Sequence, residues 1–177
     1  MKEQFTLSIY TENLIGILHR VTTIFTRRHI NIESITASES EVKDIHRYTI
    51  VVSSTEDKIK KIVKQIEKQV DVFKAFYHKN DGIVYQEMAL YKMPTKLLSQ
   101  TKEVEYIVRK HHARLLAVEP DFTIIEKTGF KEETQELFEQ LKPHGILEFV
   151  RSGRISISKP MKEFQEYFTE VEEASRM

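Results

Sequence analysis

The chain has 177 residues, with 27 basic and 27 acidic side chains, a 40% hydrophobic fraction and no cysteine. That hydrophobic share is enough for a packed core, and the lack of thiols excludes a disulfide framework, a cysteine nucleophile and a zinc–thiolate centre. Balanced charge argues against a partner held by phosphate neutralisation, which requires a net basic face.

Met1-Lys2-Glu3-Gln4 runs straight into alternating residues rather than an apolar signal core, so no targeting segment is expected. No run of about 18 apolar residues offers a membrane span, and the expected location is the cytoplasm. Phe5 to Tyr10 alternates apolar and small polar residues as a half-buried strand does. The turn-like stretch Thr11 to Gly16 follows, with Asn13 as a helix N-cap candidate. Ile17, Val21, Ile24 and Phe25 then recur at helical spacing. Ile30 to Ile35 returns to strand character, a polar break covers Ser38 to Lys43, and Tyr48, Ile50 and Val52 form the hairpin partner. Ile59, Ile62, Val63 and Ile66 mark a second helix, and Val70 to Tyr77 a closing strand. The order is βαββαβ.

That order starts again. Met88 and Leu90 lie in a strand ended by Pro94, and Leu97, Val104, Ile107 and Val108 predict a helix. Arg114 to Val118 and Phe122 to Ile125 are strands joined across the turn Glu119-Pro120-Asp121. Leu137, Phe138 and Leu141 form a helix stopped by Pro143 and Gly145. Ile146 to Val150 and Ile155 to Ile157 supply the last strand or strand pair. The predicted fold class is α+β: two ferredoxin-like βαββαβ domains, each an antiparallel sheet with helices on one face. The expected boundaries are 1–79, 80–160 and a tail over 161–177 that reads as a short helix. Each unit leaves one sheet face and its edges in need of cover.

Fold alone assigns no function. Two stretches carry more information: Glu12 to Val21, reading Glu-Asn-Leu-Ile-Gly-Ile-Leu-His-Arg-Val, and Arg27 to Ser34, reading Arg-Arg-His-Ile-Asn-Ile-Glu-Ser. Together they resemble the N-terminal ACT domain of the small, regulatory subunit of acetolactate synthase. Ile66 to Val72, Glu87 to Lys92 and Arg151-Ser152-Gly153 resemble later parts of the same family in the right order. Two positions depart from its pattern. Ile15 stands where a small residue usually precedes the loop glycine, and His29-Ile30 where Gly-Tyr usually ends the helix.

The resemblance implies a chain with no catalytic residues that senses valine, the feedback inhibitor, between the first-helix loops of two ACT domains. It carries that effector role to Asn13, Gly16 and Asn31, with Leu14, Ile15, Ile17 and Ile32 around them. It also implies a homodimer through the ACT domains and a large catalytic subunit as partner. That partner is expected to use thiamine diphosphate, Mg and FAD, while this chain binds no cofactor and no metal.

The chemistry suits these residues. A helix N-terminus attracts the carboxylate of a free amino acid. Gly16 lets a ligand approach the backbone, and Asn13 and Asn31 can donate and accept hydrogen bonds to a zwitterion. Ile15, Ile17 and Ile30 would wall an apolar pocket. Each residue also has a structural reading alone: Asn13 as an N-cap, Gly16 as relief of crowding between helix and sheet, and Asn31 as part of an edge turn.

Rival functions find less support. There is no nucleophile-elbow motif and no glycine-rich phosphate loop. The neighbours His111 and His112 diverge by about 100° near a helix end and cannot easily chelate one ion. An RNA-binding sheet would need a basic-Gly-aromatic run that is absent. An ACT-type sensor for another effector or enzyme stands closest. Arg20, Arg27, Arg28, Arg151 and Arg154 are candidate contacts to a partner, with solvated charge as the alternative for most.

Overall fold

The structure, a computed structural model, describes residues 2–100, 102–159 and 169. It divides into two compact units, one formed by residues up to Tyr85 together with those from Arg154 on, the other by Gln86–Gly153. The division thus falls after Tyr85, against the 79/80 boundary expected from the sequence, and the first unit is discontinuous. The tail expected over 161–177 lies outside the described residues except for Thr169.

The first unit runs β1 (Glu3–Glu12), α1 (Ile17–Arg27), β2 (Ile32–Glu39), β3 (Ile45–Ser54), α2 (Glu56–Ile66) and β4 (Val72–Lys79). Its sheet has the order β2-β3-β1-β4 with every neighbour antiparallel. Register follows the apolar alternation: Leu7 lies opposite Ile50 and Tyr77, and Ile9 opposite Tyr48 and Ala75. These residues meet Ile17, Val21, Ile24 and Phe25 of α1 and Ile59, Ile62, Val63 and Ile66 of α2 in one core. Each such side chain contributes about 1.5–3 kcal/mol when fully buried, so the two helical stripes fix which sheet face is inner. The polar break is shorter than expected, since β2 continues to Glu39 before the turn at 40–44.

The other face of this sheet is covered too, although part of it is polar. Thr6, Ser8 and Tyr10 of β1 alternate with the core residues and are buried. The cover over Thr6 and Ser8 includes β9 (Ile155–Ser158), which pairs with β5 (Ile83–Pro94), while Tyr10 packs with Ile45, Val42, Phe73 and Phe76. Just before β9, the Arg154 guanidinium donates to Thr6 Oγ1 at 2.8 Å, Asn80 Oδ1 at 3.0 Å and Gln4 Oε1 at 2.9 Å. It also stacks on the ring of Tyr85, 3.7 Å from the centroid. Arg47 adds a bond to the Ser156 carbonyl oxygen at 2.5 Å. Arg154 is 8% exposed, which overturns its reading as solvated charge. Four polar or aromatic partners satisfy its donors and π-facing surface, so burial is tolerated.

The second unit continues β5 through α3 (Thr95–Gln100), α4 (Lys102–Lys110), β6 (Arg114–Val118), β7 (Phe122–Gly129), α5 (Lys131–Leu141) and β8 (Glu148–Arg151). Its sheet order, β6-β7-β5-β8, reproduces that of the first unit element for element. Ala89, Tyr91, Met93 and Ile125 pack against Val104, Ile107, Val108, Leu137 and Leu141. The stretch Leu97 to Val108, predicted as helix, is helical over 95–100 and 102–110 among the described residues. Pro143 sits in a short 3-10 turn and Gly145 takes φ +89 beyond it, ending α5 as expected. Two ferredoxin-like βαββαβ units are therefore the architecture. No helix among the described residues is long and apolar enough to cross a membrane.

Candidate effector site

The segment that leads from β1 into α1 is held by its neighbours at three points. The Glu12 N–H donates to the Asp71 carbonyl oxygen at 2.9 Å, and the Asn13 N–H to the Asp44 carbonyl oxygen at 3.1 Å. Four residues into the helix, the Arg20 N–H donates to the Gly16 carbonyl oxygen at 3.1 Å, and the Arg20 side chain pairs with the Asp71 carboxylate at 2.5 Å. Asp44 and Asp71 both take positive φ, at 65° and 72°. Aspartate tolerates that region better than most residues because its short side chain can bond locally.

Gly16, not Asn13, is the N-cap of α1. It sits at φ 90°, ψ −11°, and no side chain caps the helix. The chain must reverse at this point, and a left-handed residue outcompetes a side-chain cap. A Cβ on Gly16 would meet nothing within 4 Å. Its need is thus conformational, and relief of crowding between helix and sheet is not its role. The first turn of α1 contains no acidic residue. Its leading N–H groups have no acceptors within the helix, and the dipole places partial positive charge there.

The side chains around this entrance separate into two sets. Ile15 is fully exposed, and Asn13, Leu14 and Leu18 are also on the surface. Ile17 and Ile30 are 1% and 8% exposed and belong to the core. Of three expected apolar walls, only Ile15 is open to solvent; Ile17 offers its backbone N–H, not its side chain. Asn31 is exposed just before β2, and Ile32 is half-buried against the core.

Asn13 precedes α1 and Asn31 follows it. The 11 residues between the helix ends separate the two by roughly 16 Å along the axis. Within one chain, the loop 13–17 therefore forms a cluster that Asn31 and Ile32 do not join. The exit of the helix is itself unusual: His29 adopts φ 53°, and the Ile30 N–H closes back onto the Phe25 carbonyl oxygen at 3.0 Å.

Among the described residues no group of three His, Asp or Glu side chains could hold a metal ion. Arg28 bonds Gln65 through Nε at 2.9 Å, and Arg151 bonds Gln135 and pairs with Glu87 at 2.8 Å. Two contributors to the site, Asp44 and Asp71, escaped the sequence reading. Asp71 lies 51 residues from Arg20, and no local spacing rule reports a pair at that separation.

Residues 7–74 match the family model described as the AHAS small subunit-like ACT domain, and residues 86–160 match the small subunit of acetolactate synthase. The acetolactate synthase small subunit of Bacillus subtilis is 36% identical over 160 residues, covering 90% of this chain and 91% of that protein. Its counterpart from Mycolicibacterium smegmatis is 35% identical over 154 residues, 87% of this chain and 90% of that protein. The crystal structure of the acetolactate synthase small subunit from Thermotoga maritima superposes with a TM-score of 0.80 at 28% identity, covering 89% of this chain and 98% of that one.

Proposed function

Because the chain belongs to the family of acetolactate synthase small subunits, we propose that it is a regulatory subunit that senses valine for a large catalytic partner. It acts in the cytoplasm, raises the activity of that thiamine diphosphate-dependent subunit on binding, and confers feedback inhibition. The partner condenses two pyruvates, or pyruvate with 2-oxobutyrate, on the route to branched-chain amino acids.

The observation that carries the sensor reading is the entrance of α1. Gly16 at φ 90° opens a helix with no acid in its first turn, beside exposed Asn13, Leu14 and Ile15. A ligand carboxylate at this N-terminus receives backbone N–H groups and the positive dipole end. Asn13 addresses the ammonium or a second carboxylate oxygen, and the exposed leucine and isoleucine face the ligand side chain.

The separation of Asn13 from Asn31 supports a site shared by two chains. β2 is an edge strand of its sheet, and an antiparallel copy across that edge would bring Asn31 of the partner subunit toward the loop at Asn13. The homodimer is thus part of the same reading. Coupling of about 1–3 kcal/mol, ordinary for allosteric proteins, would change partner activity about 5–150-fold. One methylene alters binding in an apolar pocket by about 1–3 kcal/mol, so isoleucine and leucine should act more weakly than valine.

Calorimetric titration of the purified chain with valine tests the proposal, with Gly16→Asp and Gly16→Asn in parallel. Both variants can adopt a left-handed backbone better than most residues, so they differ chiefly in charge. Saturable binding in the wild type, loss in Gly16→Asp and partial retention in Gly16→Asn are expected. Normal valine inhibition of the reconstituted enzyme carrying Gly16→Asp would rule the site out.

A further inference from the structure

The loop 13–16 hangs from a single residue at both of its ends. Asp71 takes the Glu12 N–H on its carbonyl oxygen, just before the loop, and the Arg20 guanidinium on its carboxylate, one turn beyond it. Its left-handed backbone, φ 72°, belongs to the turn that carries α2 into β4. So a residue from the far end of the unit brackets the entrance of α1. The second tether, Asn13 N–H to the Asp44 carbonyl oxygen, also comes from a left-handed aspartate.

We propose that Asp71 and Arg20 are positioning residues of the effector loop, holding Gly16 and the first-turn N–H groups in the geometry that receives the ligand. This rests on the sensor reading given above. Neither residue is assigned contact with the ligand. The Arg20 side chain is 41% exposed and that of Asp71 21% exposed, so the ion pair contributes little to global stability. Its effect is local: a loop already ordered loses less conformational freedom when the ligand arrives, and binding tightens accordingly.

The test uses the full chain with Asp71→Asn, Arg20→Gln, Arg20→Lys and the double variant Arg20→Gln/Asp71→Asn. Asparagine keeps the left-handed turn and the carbonyl acceptor for Glu12 but removes the charge. Two readouts are taken: valine affinity by titration, and backbone amide exchange over residues 13–20 without valine. Asp71→Asn and Arg20→Gln should each weaken valine binding about tenfold and speed exchange at the helix entrance. The double variant should be no worse than either single one, since all remove one interaction. Arg20→Lys, which keeps the charge, should recover most of the affinity.

Wild-type affinity and wild-type exchange in Asp71→Asn would overturn the proposal, as would additive losses in the double variant. A merely structural pair would lower the melting temperature without changing affinity or local exchange. If the wild type binds no valine, the sensor reading falls. Exchange alone then decides whether the bracket exists: unchanged protection in Asp71→Asn overturns it, and faster exchange upholds it.

Discussion

His29 and His112 occupy the same place in the two units: each is the left-handed residue that ends a helix, at φ 53° and φ 51°. After His29 the Ile30 N–H reaches back to the Phe25 carbonyl oxygen, and after His112 the Ala113 N–H reaches back to that of Val108, both at 3.0 Å. This is the closing bond of a helix end that glycine usually serves. The ACT family pattern has glycine at the first position, and this chain has histidine at both.

Replacing either histidine by glycine should therefore stabilise the protein. A non-glycine residue in this region costs about 1–2 kcal/mol, partly offset by the greater freedom of glycine in the unfolded chain. His29→Gly and His112→Gly should each raise stability by roughly 0.5–1 kcal/mol, read from urea denaturation midpoints. A lower midpoint in both would mean that the imidazoles make contacts outweighing the strain.

Arg154 invites the opposite experiment. Its three bonds to Gln4, Thr6 and Asn80 and its stacking on Tyr85 are all lost in Arg154→Ala. Leaving the buried Thr6 hydroxyl without its donor and losing the stacking on Tyr85 should cost about 1–3 kcal/mol. Arg154→Lys should fall between, because an ammonium keeps the charge but not the planar fork. Equal stability of Arg154→Ala and wild type in denaturant would show that the clasp is dispensable.

Glu126 gives the second unit a dependence on acid. The Thr128 hydroxyl donates to its carboxylate at 2.6 Å, and Arg114 pairs with it. The Thr128 bond foremost, with help from Arg114 and against the opposing effect of burial, holds this carboxyl below its ordinary value. A group depressed in the folded state stabilises above its unfolded value, and the benefit disappears as pH falls through the folded one. Glu126→Gln should therefore be less stable than wild type near neutrality and converge with it in acid. Denaturation midpoints between about pH 7 and pH 3 will show a constant gap if the assignment is wrong.

Tyr91 works in the other direction. Its ring is fully buried and its hydroxyl donates to the Thr134 carbonyl oxygen at 2.6 Å. Burial pushes the phenol well above its ordinary value, so it stays protonated while the unfolded chain ionises. The stabilisation is present below the ordinary tyrosine value, near about 10, and is lost as pH rises beyond it. Tyr91→Phe should cost about 1–2 kcal/mol at neutral pH and flatten the alkaline fall in stability.

Much of the fold is written in local periodicity. The alternation of Phe5, Leu7 and Ile9 and the stripe Ile59, Ile62, Val63 and Ile66 identify elements because each pattern has one burial solution. The site is written less plainly. Asn13 carries a capping side chain, yet the reversal at Gly16 decides where the helix begins, and cap rules do not see backbone handedness. Ile17 and Ile30 look like available apolar walls until the sheet claims them. Arg154 reads as surface charge because its partner Thr6 lies 148 residues away. Only the closed chain reveals such a bond.

That separation has a consequence for synthesis. The sheet of the first unit has all four strands once Lys79 is made, but Thr6 awaits Arg154, and the Arg47 that bonds Ser8 awaits the strand behind it. A nascent chain thus carries a folded N-terminal sheet with part of its outer face still uncovered while the whole of the second unit is translated. Closing a loop of that length is entropically slow relative to local pairing. Docking of the last strand is then the step at which the N-terminal unit is finished, and it comes after the C-terminal unit has left the ribosome.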